Sequence, residues 1–320
     1  MKRFKTVLGI SIAFVLVLSS VALAAPTFIS VATGGTGGAY FPIGAGLADI
    51  INKKLTGYNA AAEVTGASKI NCINVNDKKS DIALVLGDTL SYAYKGEKLG
   101  GFAKPLTNLR VIANIYANTI QIVARKESGV TKLTDLKGKK VSVGAPGSGT
   151  EINARQIFAA AHMSYHDFGR TDYLSFSESA DQMKNRAIDV TLISSGLPNP
   201  GILDIATTQD ITVVPIEGEL LKVLDKETPF FVQAVIPKGT YRGQEQDVSS
   251  VGIPNFLIVR GDLDDKTVYE ITKAMFENLD RLVQAHAAAK GIKLENATKG
   301  LPVPLHPGAA KYYREKGLIK

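Results

Sequence analysis

One succession of elements occurs twice in this chain, and it restricts the possible folds more than any other feature. In residues 28–88 and again in residues 140–196, a short strand runs into a glycine-rich turn and a helix. A second strand then ends in a serine-containing turn before a second helix, and a third strand closes the unit. Such alternation predicts an α/β fold with a parallel sheet and helices on both faces. Two copies of the unit predict two lobes.

Both glycine-rich turns have the properties of an anion-binding site. The first reads Thr-Gly-Gly-Thr-Gly-Gly over 33–38, and the second reads Gly-Ala-Pro-Gly-Ser-Gly-Thr over 144–150. Glycine permits backbone angles that other residues avoid and lets a ligand approach the main chain closely. Each turn opens a helix, whose N-terminus presents unpaired N–H groups and about half a positive charge. We therefore expect the two turns to face one cleft and to bind a small, polar, anionic molecule.

A purely structural role is open for each of these motifs. The segment from Ser148 to Glu151 matches a capping box, and Ser68 and Ser177 are ordinary candidates for helix N-caps. Glycines also serve simply to shape turns. The occurrence of two such turns in duplicated units is what favours the binding function.

Two extended segments indicate how the lobes are joined. Residues 108–126 and 230–238 each place a Gln within an apolar strand and end in a basic residue. We interpret both as strands that cross between the lobes in opposite directions, which forms a hinge beside a central cleft. Lobe I is then expected to comprise 26–117 plus 236–320, with a long helix over 269–289, and lobe II to comprise 118–235 with a crossing at each end.

The N-terminus is organised as a cleavable secretion signal. Three cations within residues 1–5 precede an apolar stretch over 7–18, and Ala22 and Ala24 fit a signal-peptidase site. We expect residues 1–25 to be removed and, because they contain no cysteine, no lipid anchor to be attached. Loss of the three cations lowers the Lys plus Arg count from 37 to 34 against 30 acidic residues, a net charge of +4. The expected product is a periplasmic protein that acts as a monomer.

Several function classes are excluded or disfavoured. The single cysteine, Cys72, rules out an intramolecular disulfide and a cysteine-cluster metal site, and we expect it to be buried. Basic runs with interleaved aromatic residues are missing from the sequence, so nucleic acid is not expected as a partner. The glycine turns lack the P-loop lysine and do not complete G-x-G-x-x-G. His162 and His166 have no third metal ligand nearby. We therefore expect no metal, no cofactor and no catalytic residues.

Four segments resemble the TAXI family, the extracytoplasmic solute receptors of TRAP transporters. They are 28–40, 118–126, 141–155 and 305–313, and the resemblance spans essentially the whole chain after the signal. It implies a two-lobed periplasmic-binding-protein fold of the second type. It also implies delivery of a solute to a TRAP membrane permease, with uptake driven by an ion gradient. Ligands in the family include glutamate, glutamine and dicarboxylates similar to 2-oxoglutarate.

The resemblance also implies which residues line the ligand cleft. These are Thr36, Gly37, Gly38, Tyr40, Ser68, Asp88, Asn118, Ser148, Gly149, Thr150 and Ser194. The chain departs from the family pattern at Ala67, where a second glycine is common, and at Ala117, where proline is common.

Two other functions are open at the level of sequence. A periplasmic ligand sensor would have the same fold and the same cleft. An exported enzyme that processes a carboxylate would need an acid–base pair, for which Asp88 is the one clear candidate near a strand end.

Overall fold

The computed structural model describes residues 26–320, and the expected signal peptide at 1–25 lies outside the described residues. Over that range the strands are β1 Thr27–Ala32, β2 Tyr58–Glu63, β3 Ile82–Leu86, β4 Leu109–Arg125, β5 Lys140–Ser142, β6 Arg170–Asp172, β7 Val190–Ser195, β8 Ile211–Val214, β9 Val232–Ile236 and β10 Val248–Arg260. The α-helices are α1 Tyr40–Lys54, α2 Ser68–Asn76, α3 Gly87–Lys95, α4 Gly149–Ala160, α5 Phe176–Lys184, α6 Pro200–Thr208, α7 Glu219–Glu227, α8 Asp265–Phe276, α9 Leu279–Ala285 and α10 Pro307–Glu315. None of the helices in this range is long and apolar enough to cross a bilayer.

The predicted duplication is confirmed in the sheet. In the first lobe β1 lies between β2 and β3, and in the second lobe β5 lies between β6 and β7, with all of these pairs parallel. Each parallel trio is extended by one antiparallel strand, β10 beside β3 and β4 beside β7. The predicted parallel strands are thus present in both lobes, and the strands that cross between the lobes are added to them in the antiparallel sense. They run antiparallel because each arrives from the opposite lobe.

The hinge consists of β4 and β10. β4 pairs with β10 over most of residues 109–119 and then with β7 and β8 over 119–125, so it passes from the first lobe into the second. β10 pairs with β9 over 248–252 and with β3 over 255–259, so it passes back. The first predicted crossing is confirmed.

The second predicted crossing, at 230–238, was wrong. Only Val232–Ile236 is extended there, and this strand, β9, pairs with β10 alone. Most of β9 is exposed, whereas β10 is buried over nearly its whole length. A strand between two lobes is covered on both faces, and the burial and the pairing of β10 with strands of both lobes fit that position. The lobe division at 118 and 236 stays a prediction, and we propose moving its second boundary into β10.

Helices cover both faces of each half-sheet, as predicted. In the first lobe α1, α8, α9 and α10 contribute to one apolar cluster, and α2 and α3 contribute to a second. In the second lobe α4 and α7 share one cluster, and α5 and α6 share another. The single helix expected over 269–289 is divided, because Asn278 leaves helical geometry and its amide donates back to the Ala274 carbonyl at 2.8 Å.

The C-terminal helix α10 donates a hydrogen bond to the hinge strand β4 where the pairing of that strand is irregular. The pairing of β4 with β10 skips Ile112, which is the extra residue of a β-bulge. The hydroxyl of Tyr313 donates to the Ile112 carbonyl at 2.7 Å, and both residues are fully buried. An otherwise unpaired buried carbonyl is thereby satisfied.

We expect Tyr313→Phe to lower the free energy of unfolding by about 1–3 kcal/mol, because it leaves the Ile112 carbonyl without a donor. The adjacent Tyr312→Phe is the matched control, since the Tyr312 side chain is also buried but its hydroxyl makes no hydrogen bond to any described residue. Urea unfolding of both variants measures the difference. Equal stability of the two variants would contradict the assigned role of Tyr313.

Candidate functional site

A cavity lies between the two lobes, where the carboxyl ends of the parallel strands meet. Its volume is about 60 Å³, and a buried water needs roughly 10–15 Å³ on this scale, so the space suits a small molecule. The lining consists of Gly34, Gly35, Gly38, Ala39, Tyr40, Thr65, Gly66, Ala67, Ser68, Leu86, Asn118, Ala145, Ser148, Gly149, Thr150, Ser175, Phe176, Ser194 and Ser195. Within residues 26–320, this lining contains no charged side chain.

Four helices begin at the cavity wall. α1 and α2 come from the first lobe and α4 and α5 from the second, and the first residue of each helix lines the cavity. The first amides of an α-helix have no intrahelical acceptor. Four sets of N–H donors, two from each lobe, therefore surround one small space.

The first glycine turn brings the lobes close together rather than adopting an unusual backbone. None of its glycines has a positive φ. A Cβ at Gly37 would lie 2.8 Å from the Ser177 Oγ and 2.9 Å from the Ser177 N, and a Cβ at Gly38 would lie 3.1 Å from the Phe176 ring. Glycine is needed here because the opposite lobe occupies the space of a side chain. The expectation of special backbone angles in this turn was wrong.

The second glycine turn does need left-handed backbone. Gly144 and Gly147 have φ values of 102° and 71°, which glycine adopts without steric cost. The turn ends at Ser148, whose Oγ accepts a hydrogen bond from the Glu151 N at 3.1 Å and caps α4. In a complete capping box the Glu151 carboxylate would accept a hydrogen bond from the Ser148 N. Here it accepts from the Arg155 Nε at 2.8 Å instead, so the expected capping box is incomplete.

Two serine caps differ from expectation. α5 is capped by Ser175, two residues before the predicted Ser177, through a capping box with Glu178. Ser68 is the first residue of α2 rather than its cap, and its Oγ accepts from the Leu86 N at 3.1 Å. The Ser68 hydroxyl thus ties the start of α2 to the end of β3 at the floor of the cavity.

A buried hydrogen-bond chain joins the lobes below the cavity. The Tyr40 hydroxyl donates to the Asn255 Oδ1, and the Asn255 Nδ2 donates to the Asn118 Oδ1 at 2.8 Å. The Asn118 Nδ2 then donates to the Ser194 carbonyl at 2.8 Å. Burial raises the pKa of Tyr40 well above its usual value, so its hydroxyl stays protonated as a donor. The chain holds both hinge strands, α1 and β7 in one arrangement.

Ser194 lines the cavity and has an unsatisfied side-chain hydroxyl. Its side chain is 4% exposed, and its Oγ has no hydrogen-bond partner among the described residues. Buried hydroxyls normally have a partner. The Ser194 hydroxyl is therefore a buried polar group without a partner, in a residue of the cavity wall.

The structure places eight of the eleven expected site residues in the cavity wall. They are Gly38, Tyr40, Ser68, Asn118, Ser148, Gly149, Thr150 and Ser194. That these residues contact a ligand stays a prediction.

Thr36, Gly37 and Asp88 lie outside the wall, at contacts between the lobes. The Thr36 Oγ1 is 3.5 Å from the Ser177 Oγ, and the Gly37 carbonyl accepts from the Asn199 Nδ2 at 3.1 Å. Asp88 is buried and accepts from the Asn153 Nδ2 at 2.7 Å. These three residues join the lobes on either side of the cavity.

Sequence reasoning missed several residues of the site. Ser175 and Phe176 were recognisable from the Ser-Phe-Ser-Glu capping box that opens α5. Ser195 accepts a hydrogen bond from the Ala39 N at 3.4 Å across the lobes, and Asn255 anchors the chain below the cavity. These two had no local signal, because their role depends on partners at least 137 residues away.

His162 and His166 are exposed at the end of α4 and beyond it, and no group of three potential metal ligands occurs in the described part of the chain. Cys72 is buried, as predicted, and burial raises the pKa of its thiol.

Asp88 gives the contact between the lobes a dependence on pH. Burial raises its pKa from 3.8 to about 6, against the lowering effect of hydrogen bonds from Thr89 and Asn153. The unfolded chain ionises this carboxyl freely between pH 3.8 and 6, while the folded protein resists ionisation. The stability due to Asp88 is therefore full at low pH and is lost as the pH rises to about 6.

We expect Asp88→Asn to abolish this loss of stability at higher pH, because the new side chain does not ionise. The unpartnered Asn153 Oδ1 can accept a hydrogen bond from the new amide after a flip of the Asn153 side chain. Between pH 4 and pH 7, the free energy of unfolding of the native protein should fall relative to that of the variant by on the order of 3 kcal/mol. Urea unfolding at several pH values measures this difference. Parallel pH profiles for the two proteins would contradict the assignment.

Comparisons with known proteins agree with this architecture. The model of the NMT1-like family matches residues 31–317. The periplasmic binding protein BugD superposes with a TM-score of 0.58 at 12% identity, covering 92% of this chain and 94% of its own. PhnD1 from Prochlorococcus marinus (MIT 9301), solved with methylphosphonate, gives 0.56 at 11% identity, covering 92% and 100%. A protein from Bordetella bronchiseptica RB50 gives 0.53 at 17% identity, covering 91% and 82%.

At these identities the solved structures establish the fold, and the expected two-lobed periplasmic-binding-protein architecture is confirmed. The family match spans nearly all of the described chain. The chain therefore belongs to the NMT1-like family.

Proposed function

We propose that this protein is an extracytoplasmic receptor that binds a small carboxylate between its lobes and delivers it to a membrane permease. The observation that carries the proposal is the cavity itself, with four helix N-termini around it, two from each lobe. Helix N-termini bind anions without requiring Lys or Arg. Candidate ligands are glutamate, glutamine and 2-oxoglutarate.

In this proposal the ligand stabilises the closed arrangement of the lobes. The amides of Gly149 and Thr150 at the start of α4 and those of Tyr40 and Phe41 at the start of α1 are donors from opposite lobes. A ligand that bridges them binds the closed state better than the open one, and only such a difference shifts the equilibrium. Closure then presents a surface that a permease reads.

We further propose that the permease is of the TRAP type and that the receptor acts as a periplasmic monomer. The support is the motif resemblance to TAXI receptors over 141–155 and the signal-like sequence over 1–25. Reconstitution of the receptor with its permease in liposomes distinguishes an ion gradient from ATP as the energy source. Uptake that requires ATP would overturn the TRAP assignment.

The carboxylate proposal is tested with the purified protein after removal of residues 1–25. Glutamate, glutamine, 2-oxoglutarate, methylphosphonate and an alkanesulfonate are compared by thermal shift and calorimetry. A ligand that binds only the folded protein raises its melting temperature. Stabilisation by a phosphonate or sulfonate, with none by a carboxylate, would overturn the proposal.

We expect Ser194→Ala to weaken binding of the tightest carboxylate by about 10–100-fold, because the hydroxyl donates to a charged group. Thr191→Val is the matched control, since Thr191 lies on the same strand with a buried, unpartnered hydroxyl but does not line the cavity. Calorimetry should give nearly native affinity for this control. Equal losses in both variants would show that Ser194 does not contact the ligand.

The close approach at Gly37 predicts a second effect. We expect Gly37→Ala to reduce the affinity for the ligand at least about tenfold. It should also raise the radius of gyration of the ligand-saturated protein, because the added Cβ would meet the Ser177 main chain in the closed state. Gly35→Ala, whose Cβ would have its nearest contact at 3.7 Å, is the control for lobe closure, read by the radius of gyration alone because Gly35 lines the cavity. Small-angle scattering and calorimetry provide the measurements. A native-like closed form in Gly37→Ala would contradict the argument.

A further inference from the structure

The loop that follows β7 holds one carbonyl of the opposite lobe between two donors. The Gly37 carbonyl, in the first glycine turn, accepts a hydrogen bond from the Asn199 Nδ2 at 3.1 Å and another from the Gly201 N at 3.2 Å. Gly201 lies in the first turn of α6, where an amide has no acceptor within its own helix. A carbonyl oxygen has two lone pairs, so the second lobe fills both acceptor positions of this one atom.

The two polar atoms of the Asn199 side chain have different tasks. Its Oδ1 accepts from the Ile202 N at 3.0 Å and caps α6 within the second lobe. The Nδ2 is therefore the atom that faces the Gly37 carbonyl, because a flipped amide would oppose donor to donor at Ile202 and acceptor to acceptor at Gly37. Asn199 is fully buried, so its bond to the opposite lobe is made away from water, where hydrogen bonds are strong.

The second lobe positions Asn199 by itself. The Asn199 N–H donates to the Tyr241 hydroxyl at 2.9 Å, and that hydroxyl donates to the Gln121 Oε1. The Gln121 Nε2 in turn donates to the Ser195 carbonyl at 3.2 Å. Tyr241 and Gln121 are both buried. Since every member of this chain of bonds belongs to the second lobe, that lobe presents the Asn199 amide in the orientation that the Gly37 carbonyl needs.

These contacts lie beside the cavity and not in its wall. Gly37, Asn199 and Gly201 do not line the cavity, whereas the residues that directly follow Gly37 and the two serines that end β7 do. A change at Asn199 therefore alters how firmly the lobes are held together without altering the groups that a ligand meets.

From these observations we infer that Asn199 is a positioning residue for ligand binding, whose amide, donated to the Gly37 carbonyl, holds the lobes closed over the cavity without touching the ligand. The inference rests on the proposed function for the existence of a ligand, but the closing action belongs to the protein alone. The measured affinity of a ligand that binds the closed form is proportional to the fraction of protein that is closed. Loss of the amide therefore weakens the binding of every ligand by the same factor.

Asn199→Asp separates the two tasks of this side chain. Aspartate retains an oxygen that caps α6, but at pH 8 its second oxygen is charged and faces the Gly37 carbonyl oxygen. Calorimetry at pH 8 should show at least about tenfold weaker binding of whichever of glutamate, glutamine and 2-oxoglutarate the native protein binds. The ratios among their affinities should stay as in the native protein. A changed ratio, or native affinity, would overturn the inference.

Acid should restore binding to this variant. An aspartate carboxyl has an ordinary pKa of about 3.9, and a carbonyl oxygen beside it disfavours the ionised form. At pH 4.5 much of the new carboxyl is therefore protonated and donates to Gly37 in place of the amide. Relative to the native protein at the same pH, the affinity of Asn199→Asp should recover at least about threefold between pH 8 and pH 4.5. Asn199→Ala, which has no donor at either pH, is the control, and equal pH profiles for the two variants would contradict the inference.

A cross-link measures closure without any ligand. The Thr36 Oγ1 and the Ser177 Oγ lie 3.5 Å apart across the lobes, and Cys72, the single cysteine of the sequence, is buried. Thr36→Cys combined with Ser177→Cys should form a disulfide under mild oxidation when the lobes close, and adding Asn199→Asp should slow this at least about fivefold at pH 8. An unchanged rate would overturn the inference. A slowed cross-link in a protein that binds none of the three ligands would support the inference and overturn only the proposed function.

Discussion

The convergence of four helix N-termini on one uncharged cavity is the constraint on which the rest of the structure depends. Such an arrangement is unfavourable without an anion, because unpaired amides and aligned dipoles face one another across a small space. The duplicated fold produces it directly. Each lobe places the starts of two helices at the carboxyl edge of its parallel strands, and the hinge turns the two edges toward each other. The site thus consists of main chain far more than of side chains.

A site built from main chain requires the two lobes to approach without bulky residues between them. Gly37, Gly38 and Gly149 meet this requirement, since a Cβ at any of them would contact the opposite lobe at 3.1 Å or less. The glycine-rich turns therefore serve two purposes. They expose helix amides to the cavity, and they let the lobes close over it.

The hinge strands determine how the two lobes are positioned relative to each other. β4 and β10 are shared by both half-sheets, and the buried chain from Tyr40 through Asn255 and Asn118 to Ser194 fixes the two lobes relative to each other. Asp88 adds a second polar contact on another side of the cavity through Asn153. Because hydrogen bonds in a low-dielectric interior are strong only when complete, these contacts favour one closed geometry. The hydroxyl of Ser194, which has no partner among the described residues, is the exception.

The sequence by itself determined the elements and their duplication, since these follow from local periodicity and turn composition. The glycine and serine turns at strand ends, together with the resemblance to TAXI receptors, also located eight wall residues. Only the tertiary structure decided that β10 rather than 230–238 is the second crossing, that Ser195 and Asn255 join the lobes, and that Asp88 and Gly37 serve lobe contact instead of the wall. The physical reason is that each of these depends on what packs against the residue from a distant segment. Local sequence specifies which groups a residue offers, and the closing of two lobes specifies which partners they meet.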